Sequence, residues 1–212
     1  MGKLVSTIFV TLDGVYQAPG GPEEDRRGGF EHGGWSFVYG DEDFGRFVVE
    51  VFDRSGAYLL GRRTYDIFAS YWPLKTDPAD PIASKLNALP KYVPSATLTD
   101  PSWAGTTVLR GDLAKEVTDL KERTEGELQV HGSGALVRSL LTLGLLDTIH
   151  LVTFPVVLGS GLRLFPEGTA PMAFHRTDGR ITSTGVSIQS YDLAGSPKYG
   201  SYADEDAGAE NA

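Results

Sequence analysis

The chain predicts an α/β domain with a central, mostly parallel sheet, helices on both faces and an antiparallel hairpin at its C-terminal end. Three observations carry this. Short apolar runs alternate with amphipathic helical patterns from Lys3 to Phe154, and glycine turns join strand to helix at Gly61 and Gly132. After Leu164-Phe165 the patterning becomes strand-like alone. Alternation at this spacing calls for right-handed crossovers between parallel neighbours.

Lys3 to Val10 is β-rich and breaks at Asp13-Gly14, a turn dipeptide. Gln17 to Trp35 is crowded with glycine, proline and charge, and so long a loop inside a compact domain reads as a lid. Asp41 to Phe52 predicts a helix, because Phe44, Phe47, Val48, Val51 and Phe52 recur at three- and four-residue steps behind acidic residues. Ala57 to Leu60 predicts a strand, and Thr64 to Tyr71 a short helix stopped near Trp72-Pro73. From there to Leu89 the chain reads as loop, with a turn of helix around Ala83 to Leu86.

Lys91 to Val93 and Thr106 to Leu109 read as strands. Asp112 can cap a helix striped by Leu113, Val117 and Leu120, with Asp119 spaced to pair with Arg123. Leu128 to Val130 is the next strand, Ser133 to Leu143 a helix that stops at Gly144, and Ile149 to Phe154 a buried strand. Ala173 to Arg176 and Ile181 to Leu193 form the predicted hairpin, with its turn at Asp178-Gly179. Residues 1–202 thus read as one domain, and the small, acidic segment 203–212 as a disordered tail.

A length of 212 residues is enough to bury a core. The formal charge of −9 argues against nonspecific contact with nucleic acid or an anionic membrane, and favours a small-molecule partner. The absence of cysteine excludes disulfides and thiolate chemistry and fits a cytoplasmic location. No stretch reaches membrane-spanning length, and the N-terminus does not read as a signal peptide. His32, His131, His150 and His175 lack metal-ligand spacing, so no metal is predicted.

The chemistry concentrates at the two strand-to-helix turns. At Gly132-Ser133-Gly134 a slim backbone can bring N–H groups and a helix's positive end to a pyrophosphate. A true Rossmann domain is disfavoured, because the third fingerprint glycine and the acid of the next strand are missing. Gly61-Arg62-Arg63-Thr64 adds two guanidinium groups for a monoester phosphate and a hydroxyl near a helix start. The bland alternatives are a tight connection and two solvated arginines.

In this order the segments Thr11-Leu12-Asp13-Gly14-Val15, Leu60 to Tyr65, Lys91-Tyr92-Val93, Gly132-Ser133-Gly134 and Pro155 to Gly161 resemble the dihydrofolate reductase-like proteins. The likeness is to the branch that includes the C-terminal reductase domain of bacterial riboflavin biosynthesis enzymes, and it covers nearly the whole chain. The resemblance implies NADPH as cofactor. Gly61, Arg62, Arg63 and Thr64 look like the cofactor-phosphate segment, and Gly132, Ser133, Gly134 and Ala135 like the pyrophosphate turn. Ser95 resembles a further phosphate contact, although this chain has Ala96 where relatives commonly place arginine. Phe9, Val10, Tyr16 and Gln17 would line the nicotinamide end.

The implied activity passes a hydride to a C=N or C=O carbon of a pterin- or pyrimidine-like heterocycle. Such chemistry needs a proton helper. In the folate-reducing proteins that the chain resembles an acid sits at the start of the corresponding helix, which implies Asp43 as the first candidate and Asp41 as the second, while capping explains both equally well. Trp35 can stack on a flat heterocycle or anchor the lid, and Arg163 resembles a residue that binds a ribityl phosphate. The resemblance also implies a homodimer. The contrasting expectation is a non-catalytic protein of the same fold that senses or sequesters a nucleotide.

Overall fold

A computed structural model describes residues 2–202, so the acidic segment 203–212 lies outside the described residues. Its strands are β1 (Lys3–Thr11), β2 (Ser55–Leu59), β3 (Lys91–Pro94), β4 (Thr106–Leu109), β5 (Glu127–His131), β6 (Thr148–Phe154), β7 (Ala173–Ile181) and β8 (Ser187–Gly195). They form one eight-stranded sheet in the order β4-β3-β2-β5-β1-β6-β8-β7. The first six pair in parallel, and β8 and β7 are added antiparallel beyond β6. Helices α1 (Glu42–Arg54), α2 (Arg62–Tyr71), α3 (Pro81–Ala88), α4 (Leu113–Arg123) and α5 (Gly134–Thr142) supply the crossovers.

The alternation of β1 divides the core. Leu4, Ile8 and Val10 face α4 and α5, where Val117, Leu120, Val137 and Leu140 are fully buried. Phe9 packs on the opposite side with Phe44, Phe47 and Phe154 beneath α1. Successive strand residues point to opposite faces, so the two faces carry different side chains from one segment. A third cluster gathers Phe52, Tyr58, Leu60, Tyr65 and Leu86 around α2 and α3.

Three local expectations are corrected. The hairpin turn falls at Thr182 to Gly185, where the Gly185 amide donates to the Thr182 carbonyl, and β7 runs straight through Asp178-Gly179. The register shifts between Arg176 and Asp178, so the turn-forming dipeptide follows a bulge instead of reversing the chain. Helix α3 has eight residues because Asp80 accepts from the amides of Ile82 and Ala83 and Pro81 begins the helix. Asp119 pairs with Lys115 at 2.8 Å, while Arg123 lies over the Tyr92 ring.

Lys91 is fully buried and donates from Nζ to the carbonyls of Leu86 at 2.9 Å and Asn87 at 3.1 Å, at the end of α3. The ammonium also sits 4.5 Å from the centre of the Trp103 ring. Burial pulls its pKa down to about 8, so at neutral pH it remains charged while it satisfies those carbonyls.

His150, in β6, lies 2.8 Å from Ser190 Oγ and edge-on to Phe47. Burial, with Arg54 adding to it, pulls its pKa down to about 4, and burial does the same to His131. An unfolded chain binds protons on these imidazoles below about 6.5, whereas the fold holds them neutral to about 4. Their stability contribution is therefore complete above that upper limit and is lost as pH falls toward the lower one. The urea midpoint should drop between neutral pH and about 4.5, and His150→Phe should lessen the drop. A midpoint constant across this window would refute neutral burial.

Candidate active site

A cavity of about 370 Å³ opens at the carboxyl ends of β1 and β5, between α1 and α2. This is where open α/β sheets characteristically receive ligands. Thr7, Phe9 and His131 line it from the sheet, Phe44, Val48 and Phe52 from α1, and Thr64 and Phe68 from α2. The α1 residues share one face at four-residue steps, and Asp41 starts that helix by accepting from the Phe44 amide at 2.8 Å. The segment from Tyr16 to Arg27 closes the remaining side.

The two glycine turns meet at the mouth of this cavity. A Cβ on Gly61 would stand 2.5 Å from Ser133 Oγ, and one on Gly134 would stand 2.5 Å from the Tyr16 ring. Only hydrogen at these positions permits so close an approach. Gly132, Ser133, Arg63 and Thr64 all line the cavity, and the Gly132–Ser133 peptide is cis. Helix α2 begins at Gly61 without a side-chain cap, which leaves its first amides open toward an anion.

Arg62 points away from the cavity along an outer rim. It pairs with Asp66 at 2.9 Å and donates to Thr97 Oγ1 at 3.3 Å. Ser95 Oγ lies 3.5 Å from that hydroxyl and accepts from the amides of Thr97 and Leu98. Arg110, which the sequence reading did not single out, donates to the carbonyls of Ala96 and Leu98 at 3.3 and 2.6 Å. Two guanidinium groups and two hydroxyls thus surround the segment 95–98, and one of the cations stands against Ala96 itself.

The lid is an ordered loop. Buried Gln17 donates to the carbonyls of Asp25 and Arg27 and accepts from the Leu162 amide. Asp25, also buried, pairs with Arg27 and lies 3.8 Å from Arg63. The hydrogen bond from Arg27 holds its carboxyl below the usual range. Neighbouring Glu24 has no ion-pair partner among the described residues; burial pushes its carboxyl up, against the two amides of Gly20 and Gly21 that donate to it.

Of the residues singled out in the sequence, Phe9, Tyr16, Gln17, Arg63, Thr64, Gly132 and Ser133 line the cavity. Gly61 and Gly134 sit at its mouth, and Arg62 and Ser95 form the rim. The others lie elsewhere. Val10 faces the opposite core because it follows Phe9 by one residue in a strand. Ala135 lines a second cleft with Arg138 and Phe165. Trp35 is buried against Phe154 and donates Nε1 to the Gln17 carbonyl at 2.8 Å, so it anchors the lid.

Asp43 is exposed and paired with Arg46. Asp41 caps α1 and accepts from Ser183 and Thr184 across the hairpin turn. These donors, the Phe44 amide first, hold its carboxyl well below the usual range, which leaves it an acceptor and a poor proton source. Arg163 is drawn to Asp13, donating to its carbonyl at 2.9 Å. The sequence reading missed Glu24 and Asp25 in the lid, and it read Phe44, Val48 and Phe52 only as the apolar stripe of a helix. An amphipathic stripe reports a buried face, whether protein or a cavity covers it.

Comparison with known proteins identifies the family and the fold. The family model described as RibD C-terminal domain matches residues 2–189. The uncharacterized protein YyaP of Bacillus subtilis strain 168 is 25% identical over 186 residues, covering 87% of this chain and 91% of that protein. A structure from Shewanella sp. PV-4, named for riboflavin biosynthesis, superposes with a TM-score of 0.68 at 22% identity, over 91% of this chain and 99% of the other. The Enterococcus faecalis dihydrofolate reductase complexed with NADP(H) and RAB-propyl superposes with a TM-score of 0.56 at 15% identity, over 91% and 97%.

Proposed function

Because the chain belongs to the RibD C-terminal domain family, we propose that it is an NADPH-dependent reductase of a C=N or C=O bond in a small heterocycle. The observation that carries this reading is the meeting of the Gly61 and Gly132 turns at the mouth of one apolar cavity. NADPH, when bound, would supply the hydride. The pyrophosphate would lie against the Gly132-Ser133 turn on the cavity wall, beside Thr64 and the uncapped start of α2. The extra monoester phosphate fits the rim of Arg62, Ser95, Thr97 and Arg110.

The protein's own work is to hold two rings together, exclude water and deliver one proton. Phe9, Phe44 and Phe52 give the cavity a dry wall. Glu24 replaces Asp43 and Asp41 as proton relay in this reading, since it lines the cavity, lacks an ion-pair partner among the described residues and holds its proton to higher pH than an ordinary glutamate. Glu24→Gln should lower turnover roughly a hundredfold and abolish the alkaline limb of the pH profile, with NADPH affinity unchanged. An unaltered profile would remove Glu24 from the mechanism.

Titration of the purified protein with NADPH and NADH, followed by absorbance at the reduced-nicotinamide band with a panel of pterins and pyrimidines, tests the activity. Binding without turnover across the panel would favour a nucleotide sensor of the same fold. Gly61→Val should weaken both dinucleotides by at least about tenfold, because its side chain must push the two turns apart. Wild-type affinity in that variant would mean that the turns do not grip the cofactor. The homodimer is tested by light scattering, with an expected mass of about twice 22.9 kDa.

A further inference from the structure

Five buried side-chain atoms lack a hydrogen-bond partner among the described residues, and two of them, Thr7 Oγ1 and His131 Nε2, belong to residues of the cavity wall. The two residues are register partners on adjacent parallel strands, so they stand side by side in the sheet. The His131 ring is fixed in place, stacked on Phe52 with centroids 4.6 Å apart and planes 2° from parallel. Buried polar atoms in folded proteins almost always have partners, and an unpartnered pair on one cavity wall marks where a ligand's polar groups go. Burial keeps the imidazole neutral to about pH 4, so it serves as a hydrogen-bonding group without charge.

One side of the wall is apolar. Val48, Phe52, Ile67, Phe68, Trp72 and Ile82 form its α1, α2 and α3 side. Among the described residues the cations of the wall are Arg27 and Arg63, and both face Asp25. Arg163, the residue expected to hold a substrate phosphate, is bound to Asp13. An anionic substituent entering the apolar side would lose its hydration without gaining a counter-ion.

We propose that Thr7 and His131 read the amide-like edge of an uncharged, planar heterocycle whose apolar body fills the aromatic side of the cavity, and that phosphorylated or carboxylated substrates are rejected. This substrate assignment rests on the reductase reading of the same cavity. It names a neutral ring compound with adjacent hydrogen-bonding groups along one edge as the natural ligand class.

The test uses pterin and pterin-6-carboxylate as matched probes, with binding to the full chain followed by tryptophan fluorescence, since Trp72 lines the cavity. Pterin should bind at least about tenfold more tightly than its carboxylate. Thr7→Val and His131→Phe should each weaken pterin by roughly three- to tenfold, the range of one neutral hydrogen bond, and should leave NADPH affinity unchanged. Thr7→Val alters a single buried hydroxyl, so it carries the test if the His131 variant does not fold. Equal affinity for the two probes, or pterin binding indifferent to Thr7→Val, overturns the proposal. Failure of NADPH to bind wild-type protein would instead overturn the reductase reading, so the two failures are distinguishable.

Discussion

Arg62→Ala is expected to weaken NADPH by about tenfold or more while leaving NADH nearly unchanged. The guanidinium stands at the rim, away from the cavity, next to the hydroxyls of Thr97 and Ser95. A dinucleotide whose pyrophosphate lies against the Gly132-Ser133 turn would present its extra phosphate there in the proposed reading. A charge-assisted hydrogen bond to phosphate is worth about 1.5–3 kcal/mol; the Arg62 side chain is 39% exposed, and solvent screening argues for the lower end of that range. Arg110→Ala should act in the same direction and add a second effect, because its donation to the carbonyls of Ala96 and Leu98 shapes the segment that carries Ser95. Arg62→Lys should restore part of the affinity, since it keeps the charge and loses the fork. Equal losses for NADPH and NADH would show that the rim does not hold a monoester phosphate.

Lys91→Met is expected to destabilise the fold by about 3 kcal/mol, read as a lower urea midpoint with an unchanged slope. Methionine fills most of the space but donates nothing, so the carbonyls of Leu86 and Asn87 at the end of α3 lose the ammonium between them. The Trp103 ring loses the cation on its face, although its Nε1 keeps the hydrogen bond to Asn87 Oδ1. Trp103 and Leu98 pack in one cluster with Leu86 and Val93, so loosening there should also reach the rim segment 95–98 and weaken NADPH. A change under about 1 kcal/mol would mean that water reaches those carbonyls and the lysine is not needed to satisfy them.

Both effects trace back to residues the sequence reading treated in different ways. Arg62 and Arg63 are adjacent in sequence and looked equivalent, yet the first turns of a helix send them in different directions. Arg62 reaches Asp66 and Thr97, and Arg63 faces the lid's Asp25. Lys91 marked only a strand start in the linear pattern. Its burial depends on α3, and the sequence stretch that forms this helix showed only a single turn's signal. Asp41 and Asp43 suited both the acid that the resemblance implies at this helix start and a cap, and only the structure shows their partners, Ser183 and Thr184 in one case and Arg46 in the other.

The sequence by itself determined the alternating strand and helix order, the two glycine turns and the antiparallel end, because these depend on local periodicity and on backbone positions that only glycine tolerates. It also placed two arginines and a threonine at the first of these turns. Only the tertiary structure decided that the turns abut at one cavity, that Glu24 and Asp25 come to it from the lid, and that Thr7 Oγ1 and His131 Nε2, in residues of its wall, have no hydrogen-bond partner among the described residues. Those facts depend on contacts between residues far apart along the chain. No local pattern encodes them, since the same helical stripe or strand alternation is compatible with a packed core or with a wall that a ligand completes.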